Sequence, residues 1–394
     1  MLYKKYTYGD TDVYFVQTDE TGAGLMMFPA GTEADIDALS PDPMVQVALR
    51  GSRNLIDYTQ GVTMRNRASS VLQIVSQSAD SRGVLTHLSD GAGNEYEHTL
   101  RHDAETGIFS VRVEYFNRTD REQVLESLQS FSLSGIFNPQ NPSPTDEGLR
   151  LIRMTSAWSR ECRLKEDEFC DLGLDMSWAR YGVKCERFGE VGSMPNRGYY
   201  PFAAVAGGGC TWSVMLEAPY SWQIEVYKEK ETCALSGGLA DYEFGHWCKK
   251  IPAGGGFKTN FAYLRVKATE NIDDVCNDFV QFQDARLKVP EYEESMPVLF
   301  NEYCTTWGTP SEENIRAILE SIKGLPIGIF VIDCGWYLPE NCGWCNAIGD
   351  WDESKKLFPD GISSVVSAIR AAGMKAGVWF EFENVGCDSK KFYD

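Results

Sequence analysis

Apolar and polar side chains alternate along several short segments within the first 270 residues. Every second residue is apolar between Phe109 and Tyr115, between Thr211 and Leu216, and between Trp222 and Val226. This period of two predicts β-strands that bury one face. Turn residues such as those at Gly207–Gly209 separate the segments. Many such strands in one stretch of chain predict a large β-sandwich.

The spacing of apolar residues changes after residue 270. Ile272, Val275, Cys276 and Phe279 fit one face of an α-helix. The segment Lys288–Pro297 is polar and proline-flanked, which is typical of a linker. We therefore predict three regions, namely a β-domain at 1–270, a helix with a linker at 271–297, and a further domain at 298–394.

Strands and helices alternate in this last region. The segments Val298–Phe300, Ile327–Asp333 and Lys375–Glu381 are predicted strands. Between them, Thr309–Glu312 reads as a capping box with proline at the first helical position, and Asp360 is placed to cap a second helix. Alternation of strands with helices predicts that the strands pair in parallel.

Two acidic residues, Asp333 and Glu381, stand where two of these strands end. In a parallel barrel, this end of the strands carries the active site. Three strands and two helices are only part of an eight-stranded barrel, which takes about 250 residues. A small open α/β domain is the alternative, although its sheet edges would be unpaired.

Composition excludes several classes of partner. The net charge of −20 argues against a nucleic acid or an anionic membrane surface as partner. We find no run of 18 apolar residues and no signal peptide in the sequence, which predicts a cytoplasmic protein. Ten tryptophans suit a sugar-binding cleft, but a large β-domain also buries many aromatic residues.

The twelve cysteines are predicted to be reduced and mostly buried, because a chain of this length needs no disulfide framework. Cys342 and Cys345 form a single Cys-x-x-Cys motif without a second pair or a nearby histidine. A pair of loop thiols is favoured over a metal or redox site at this motif. The sequence predicts no metal site and no cofactor.

Five short motifs follow one another between residues 301 and 383. They are Asn301–Tyr303, Asp333–Trp336, Gly349–Trp351, Phe358–Gly361 and Trp379–Glu383. At these motifs the sequence resembles glycoside hydrolase family 36, the family of bacterial α-galactosidases. The family patterns are Asn-x-Trp, Asp-Asp-Gly-Trp, Gly-Asp-Trp, Phe-Pro-x-Gly and Trp-x-Glu-Pro-Glu. The resemblance implies a large N-terminal β-supersandwich followed by the first three strands of a (β/α)8 TIM barrel.

The resemblance also implies a site for an oligosaccharide or glycoside substrate. Asp333 would accept hydrogen bonds from sugar hydroxyls, and Tyr303 and Trp379 would line the wall of the site. Trp336, Asp350 and Trp351 would shape the rim of the site, and Cys334 would face the pocket beside Asp333. Capping of a turn is the alternative for Asp350, and core packing is the alternative for the four aromatic residues.

The family hydrolyses α-galactosides with retention, using one Asp as nucleophile and another as acid/base. These two residues follow the fourth and sixth barrel strands in the family. We therefore expect no catalytic residue within positions 1–394, and we expect the sequence to be the N-terminal part of a longer enzyme. A non-catalytic carbohydrate-binding module is the alternative from another functional class.

Three positions depart from the family pattern. Cys334 replaces an Asp that binds the sugar, Tyr303 replaces a Trp, and Phe382 replaces a Pro. Because a thiol accepts hydrogen bonds weakly, an N-acetylgalactosaminide or another α-glycoside is an alternative substrate. Family members are often tetramers, so a homo-oligomer is a further expectation. The segment Thr59–Arg65 is the candidate for reaching a neighbouring subunit's pocket.

Overall fold

The computed structural model describes residues 1–39, 41–52, 66–140, 148–175, 184–192, 194, 197–229, 232–338 and 342–393. The segment Thr59–Arg65, predicted to reach a neighbouring subunit, lies outside the described residues. The chain divides into two compact units, Met1–Arg286 and Leu287–Asp394.

The first unit consists mainly of β-strands, as the alternating pattern predicts. Its short helices are α1 (Arg67–Ser70) and α2 (Tyr242–Gly245), and its longer helix is α3 (Ile272–Asp284). Its strands are β1 (Leu2–Tyr8), β2 (Thr11–Thr18), β3 (Gly22–Pro29), β4 (Val47–Leu49), β5 (Gln73–Asp80), β6 (Gly83–Ser89), β7 (Asn94–His102), β8 (Phe109–Asn117), β9 (Gln123–Ile136), β10 (Arg150–Ala157), β11 (Arg163–Glu168), β12 (Lys184–Glu190), β13 (Arg197–Gly207), β14 (Cys210–Leu216), β15 (Trp222–Glu229), β16 (Thr232–Leu239), β17 (Lys249–Ile251), β18 (Gly256–Lys258) and β19 (Ala262–Lys267).

These strands form two sheets. The first has the order β1-β2-β3-β9-β16-β15-β12, and β4 and β17 also pair with β9. The second has the order β11-β10-β13-β14-β19-β8-β7-β6-β5, and β18 also pairs with β8. Buried residues of both sheets, including Phe28 of β3 and Trp212 of β14, share one core. The Trp212 Nε1–H donates to the Met27 carbonyl over 2.7 Å, so a hydrogen bond also joins the two sheets. The predicted sandwich is confirmed.

Helix α3 packs on the second sheet. Its first turn is capped by Asn271, whose side chain accepts from the Asp273 N–H. Val275, Phe279 and Phe282 are its buried residues, and they pack in a separate core with residues of β10, β13 and β14. The helical spacing read from the sequence therefore identifies the face that the structure buries, and the compact unit extends through this helix to Arg286.

The second unit contains three parallel strands in the order β20-β21-β22, in line with the predicted barrel beginning. Buried residues of α5, β21 and α6, among them Ile315, Phe330 and Ile369, form its core. Short 3-10 turns lie at Glu291–Glu293, Trp344–Asn346 and Lys390–Phe392. The other elements are β20 (Val298–Asn301), α4 (Tyr303–Thr306), α5 (Glu312–Ser321), β21 (Ile327–Ile332), α6 (Ile362–Ala371) and β22 (Lys375–Val378).

Several local predictions for this unit are wrong in detail. Strand β22 ends at Val378 rather than at Glu381, and the Trp379 N–H makes one more bond, of 2.9 Å, to the Ile332 carbonyl. The cap of α5 is Ser311, which accepts from the Asn314 N–H over 3.1 Å, and not a residue before the proline. Helix α6 begins at Ile362, and its N-cap residue is Gly361 rather than the predicted Asp360. The Ile362 N–H instead donates to the Glu353 carboxylate over 2.8 Å.

Candidate functional site

The carboxyl ends of β20, β21 and β22 meet at one edge of the parallel sheet. Asn301 is the last residue of β20, Asp333 follows β21, and Trp379 follows β22. The parallel pairing brings these residues together although 78 positions separate the first from the last. This is the end of the sheet at which barrels carry their active sites.

The Asp333 carboxylate is held by two donors. The Asn301 Nδ2–H donates to Asp333 Oδ2 over 2.7 Å, and the Cys334 backbone N–H donates to Asp333 Oδ1 over 2.7 Å. The Asp333 residue is 9% exposed. An ionised carboxylate offers about four lone-pair positions, so these two N–H donors and the neighbouring Cys334 thiol still leave acceptor capacity for a hydroxyl group.

A second acid, Glu302, lies beneath Asp333 and was missed by the sequence analysis. Glu302 is fully buried, and its Oε1 accepts the backbone N–H of Asp333 over 2.9 Å. The Thr306 hydroxyl donates to its other oxygen. Burial raises the pKa of Glu302, and the hydrogen bonds from Thr306 and from Asp333 N–H oppose that rise. The signal for it was an acid directly after the first barrel strand, inside the Asn-Glu-Tyr motif.

Cys334 is buried beside Asp333, with only 2% of its surface exposed. Burial, followed by the hydrogen bond to Asp333 and its charge, raises the pKa of the Cys334 thiol. The residue is therefore a neutral thiol next to the carboxylate that the sequence analysis places at the centre of the site.

Aromatic rings cluster around the same edge. The Trp336 and Trp351 rings stack with centroids 6.1 Å apart, and the Trp351 and Trp379 centroids are also 6.1 Å apart. The Trp336 Nε1–H donates to the Trp379 carbonyl over 3.0 Å, which ties the second strand end to the third. Phe380, another residue that the sequence analysis missed, lies 5.1 Å from the Trp351 ring.

Tyr303 stands in α4, after the first strand has ended, and it is partly exposed. Its ring centroid lies 6.4 Å from that of Trp344, and the Trp344 centroid lies 6.1 Å from that of Trp379. Desolvation, followed by the nearby Cys334 and Asp333, raises the pKa of Tyr303. Trp344 thus links two of the predicted wall residues, although it lies inside the Cys342–Cys345 motif and was not among the predicted site residues.

Asp350 is oriented towards a turn rather than towards the Asp333 carboxylate. Its Oδ1 accepts from the Ser389 hydroxyl over 2.9 Å, and its Oδ2 accepts from the Lys390 N–H over 3.0 Å. The Lys390 N–H is the main reason that the pKa of Asp350 is lowered. The turn-capping alternative raised for Asp350 matches this geometry.

The chain turns sharply after Asp333 through a glycine. Gly335 has a φ of +93°, and a Cβ at this position would lie 2.0 Å from the Gly308 carbonyl oxygen. Only glycine allows this conformation and this approach at low cost. The contact joins the segment after β21 to the segment after α4.

The Cys-x-x-Cys motif, Cys342–Cys345, contains Trp344 of the aromatic cluster. The Cys342 thiol lies 3.2 Å from Asp388 Oδ2, and both Cys342 and Cys345 are free cysteines. Within the described residues, no group of three or more His, Cys, Asp or Glu side chains is placed to hold a metal ion. In the same part of the chain, no helix combines the length and the apolar character that crossing a bilayer requires.

Known proteins resemble this chain in sequence. The melibiase family model matches residues 257–394. The α-galactosidase Mel36A of Lactobacillus acidophilus is 27% identical over 159 residues, which cover 40% of this chain and 21% of that protein. The α-galactosidase of Escherichia coli is 28% identical over 110 residues, which cover 28% of this chain and 15% of that protein.

Solved structures resemble the whole chain. A family 36 α-galactosidase, AgaA of Geobacillus stearothermophilus, solved in complex with stachyose, has a TM-score of 0.75 and 14% identity. This match covers 100% of this chain and 58% of that one. The α-galactosidase of Lactobacillus brevis has a TM-score of 0.73 and 16% identity, and the match covers 99% of this chain and 56% of that one.

The fold is thus a β-supersandwich followed by the first strands of a (β/α)8 barrel, as in these enzymes. The resemblance to glycoside hydrolase family 36 is confirmed by the melibiase match and by the α-galactosidase relatives. This chain spans about a fifth of the length of the Lactobacillus acidophilus relative in that sequence match, and 58% of the Geobacillus chain in the structural match.

Proposed function

We propose that this chain forms the sugar-binding edge of a retaining glycoside hydrolase that acts on α-galactosides. The observation that carries the proposal is the Asp333 carboxylate, fixed by Asn301 and by the Cys334 N–H at the end of the central parallel strand. Its orientation is set before a ligand arrives, and its remaining lone pairs suit the hydroxyl donors of a sugar.

The aromatic rings supply the apolar part of such a site. Binding sites for small molecules are usually lined by aromatic and apolar side chains, with a few polar groups that fix orientation. Trp379 lies in contact distance of both Trp351 and Trp344, and Trp344 extends the group to Tyr303. An aromatic wall beside a fixed carboxylate is the combination that a sugar ring requires.

Residues 1–394 are proposed to bind substrate without hydrolysing it. The resemblance places the nucleophile and the acid/base after the fourth and sixth barrel strands, and the structure contains three parallel strands in its described second unit. The relatives named as α-galactosidases support the substrate class, and the Geobacillus structure was solved with stachyose, an oligosaccharide.

An N-acetylgalactosaminide is the second candidate substrate. The observation that favours it is the buried neutral Cys334 thiol, because the family pattern has a carboxylate there. A thiol accepts hydrogen bonds weakly, and so removes one contact to a plain galactose hydroxyl. The ratio of the affinities for galactose and N-acetylgalactosamine distinguishes the two candidates, since a ratio in favour of the acetylated sugar selects the second.

Titration of the purified chain with raffinose, followed by tryptophan fluorescence, tests the proposal. Asp333→Asn is expected to weaken binding about tenfold or more, because a hydrogen bond to a charged group contributes ~1.5–3 kcal/mol. Glu320→Gln is the matched control, since this acid is exposed on α5 and lies outside the site. Equal affinities for Asp333→Asn and the control would contradict the assigned role of Asp333.

A hydrolysis assay with an aryl α-galactoside completes the test. The chain of 394 residues is expected to release no aryl group above the buffer rate, because the resemblance assigns it no catalytic acid pair. Clear turnover would show that the catalytic residues lie within positions 1–394, and would refute the assignment of a binding role alone.

A further inference from the structure

Trp307 is an exposed tryptophan at the same edge of the parallel sheet as Asp333. It directly follows α4, the short helix after β20, and 69% of its surface is exposed. Its ring centroid lies 5.6 Å from that of Tyr303 in an edge-to-face contact. Trp307 thus extends the row of aromatic rings that runs from Trp379 through Trp344 to Tyr303, and it is the exposed end of that row.

The backbone of Trp307 adopts a conformation that favours glycine. Its φ is +53°, and it ends helix α4. Glycine is the usual residue at a left-handed helix end, because a side chain there costs conformational energy. The exposure of the indole ring means that core packing contributes little to stabilise a tryptophan here. Neither the backbone nor the core therefore accounts for this residue, and residues held in sparsely populated conformations cluster at functional sites.

Three contacts fix the loop that carries Trp307. The Trp307 N–H donates to the Tyr303 carbonyl over 2.6 Å. Gly308, the next residue, packs so closely on Trp344 that a Cβ on this glycine would lie 2.6 Å from Trp344 Cδ1. The Gly308 carbonyl oxygen also lies against Gly335, in the turn after β21. The loop is therefore ordered before a ligand arrives, which lowers the entropy cost of binding.

An exposed indole ring suits the face of a sugar ring. The C–H groups on one face of a hexose are apolar and can pack on an aromatic ring, while the hydroxyls at the rim of the sugar stay in water. Tryptophan also supplies a large and rigid contact area, because its side chain has only two torsion angles to fix. The position and the chemistry of Trp307 therefore match a sugar ring that lies beyond the Asp333 carboxylate.

We propose that Trp307 stacks on the second sugar ring of an α-galactoside oligosaccharide whose galactosyl group binds at Asp333. This role rests on the proposed sugar site, and it adds a preference for oligosaccharides over the monosaccharide. Tyr303 stands between the carboxylate and Trp307 in the row of rings, so a single galactose contacts Tyr303 and leaves Trp307 free. A longer sugar chain contacts both aromatic residues.

Isothermal titration calorimetry of the purified chain with raffinose and with galactose tests this role. Raffinose is an α-galactoside of sucrose, so the wild-type chain should bind it more tightly than galactose. Trp307→Ala should weaken raffinose binding about threefold or more, and galactose binding should not change. Trp158→Ala is the matched control, because Trp158 is 81% exposed in the first unit and should affect neither sugar. Asp333→Asn should weaken the binding of both sugars.

These measurements distinguish a failure of this role from a failure of the proposed function. Unchanged raffinose affinity in Trp307→Ala, or an equal loss for the two sugars, overturns the role of Trp307, while a loss of both sugars in Asp333→Asn still supports the sugar site. An equal loss in Trp158→Ala also overturns the role of Trp307. A wild-type chain that binds neither sugar overturns both proposals.

Two further variants separate stacking from a structural role. Trp307→Phe keeps an aromatic ring and should retain most of the raffinose affinity. Trp307→Gly should lose as much raffinose affinity as Trp307→Ala, yet its thermal midpoint should equal or exceed that of the wild type, because glycine adopts this φ without strain. A clear fall in the thermal midpoint of Trp307→Gly would assign Trp307 to folding, and would overturn its role in binding.

Discussion

Each compact unit contains a fully buried polar side chain, His98 in the first and Glu302 in the second, and the two differ in their hydrogen bonding. In the first unit, His98 is fully buried and neither ring nitrogen has a hydrogen-bond partner among the described residues. In the second unit, Glu302 is equally buried, yet both of its oxygens accept hydrogen bonds, from Asp333 N–H and from the Thr306 hydroxyl. The second unit uses its buried acid to fix Asp333, whereas the histidine of the first unit makes stability depend on pH.

The backbone turn at Gly335, two residues after Asp333, gives the largest expected effect of a substitution on stability. Gly335→Ala should lower the free energy of unfolding by roughly 3–5 kcal/mol, because its Cβ would lie 2.0 Å from the Gly308 oxygen at a φ of +93°. Gly324→Ala is the matched control, with a φ of +83° and no described atom within 4 Å of its Cβ. The control should lose only about 1–2 kcal/mol. Urea unfolding followed by tryptophan fluorescence measures both, and equal losses would mean that the Gly308 contact contributes nothing.

The buried histidine of the first unit gives the next largest effect. Burial lowers the pKa of His98 from 6.5 to about 4. Between these values the unfolded chain binds a proton that the folded chain does not, so stability is complete above pH 6.5 and falls as the pH decreases towards 4. The loss amounts to about 3 kcal/mol.

Thermal midpoints across this pH range test the contribution of His98. His98→Leu should flatten the acid side of the profile, because it removes the group that the unfolded chain protonates. His87→Leu, at a partly exposed histidine on β6, should leave the slope unchanged. A slope that survives in His98→Leu would assign the acid sensitivity to another group.

Glu302, the hydrogen-bonded buried acid of the second unit, gives the smallest expected effect on the free energy of unfolding. Glu302→Gln should cost only about 1 kcal/mol, because its Oε1 can still accept the Asp333 N–H while the Thr306 hydroxyl can turn to accept from the new amide. Glu302→Ala should cost more, since it leaves the Asp333 N–H buried without a partner. Urea unfolding ranks the two variants. A reversed ranking would show that the charge of Glu302, rather than its hydrogen bonding, stabilises the strand end, and would weaken the contrast with His98.

The sequence alone predicts the elements whose signal is local. Alternation between Phe109 and Tyr115 predicts β8, where the burial also alternates. The apolar spacing of Val275 and Phe279 predicts the buried face of α3. Such patterns are readable because each side chain's direction follows from the period of its own strand or helix. The position of Asp333 at a strand end follows from the same reasoning.

Tertiary contacts decide what local patterns leave open. Glu302 accepts the Asp333 N–H at the end of the neighbouring strand, and the Phe380 ring contacts Trp351 in a loop. Asp350 accepts hydrogen bonds from a turn about 40 residues further along the chain. The end of β22 depends on the register with β21, which no spacing within β22 reveals.

The sequence by itself thus determined the sandwich, the parallel strands and the carboxylate at their edge, because periodicity and strand order are properties of neighbouring residues. Only the tertiary structure decided which side chains donate hydrogen bonds to that carboxylate. It also decided that Asp350 accepts hydrogen bonds from Ser389 and Lys390 instead of lying beside Asp333. The physical reason is that hydrogen bonds such as the one from Asn301 to Asp333 join residues from separate strands, and their formation depends on how the strands pair.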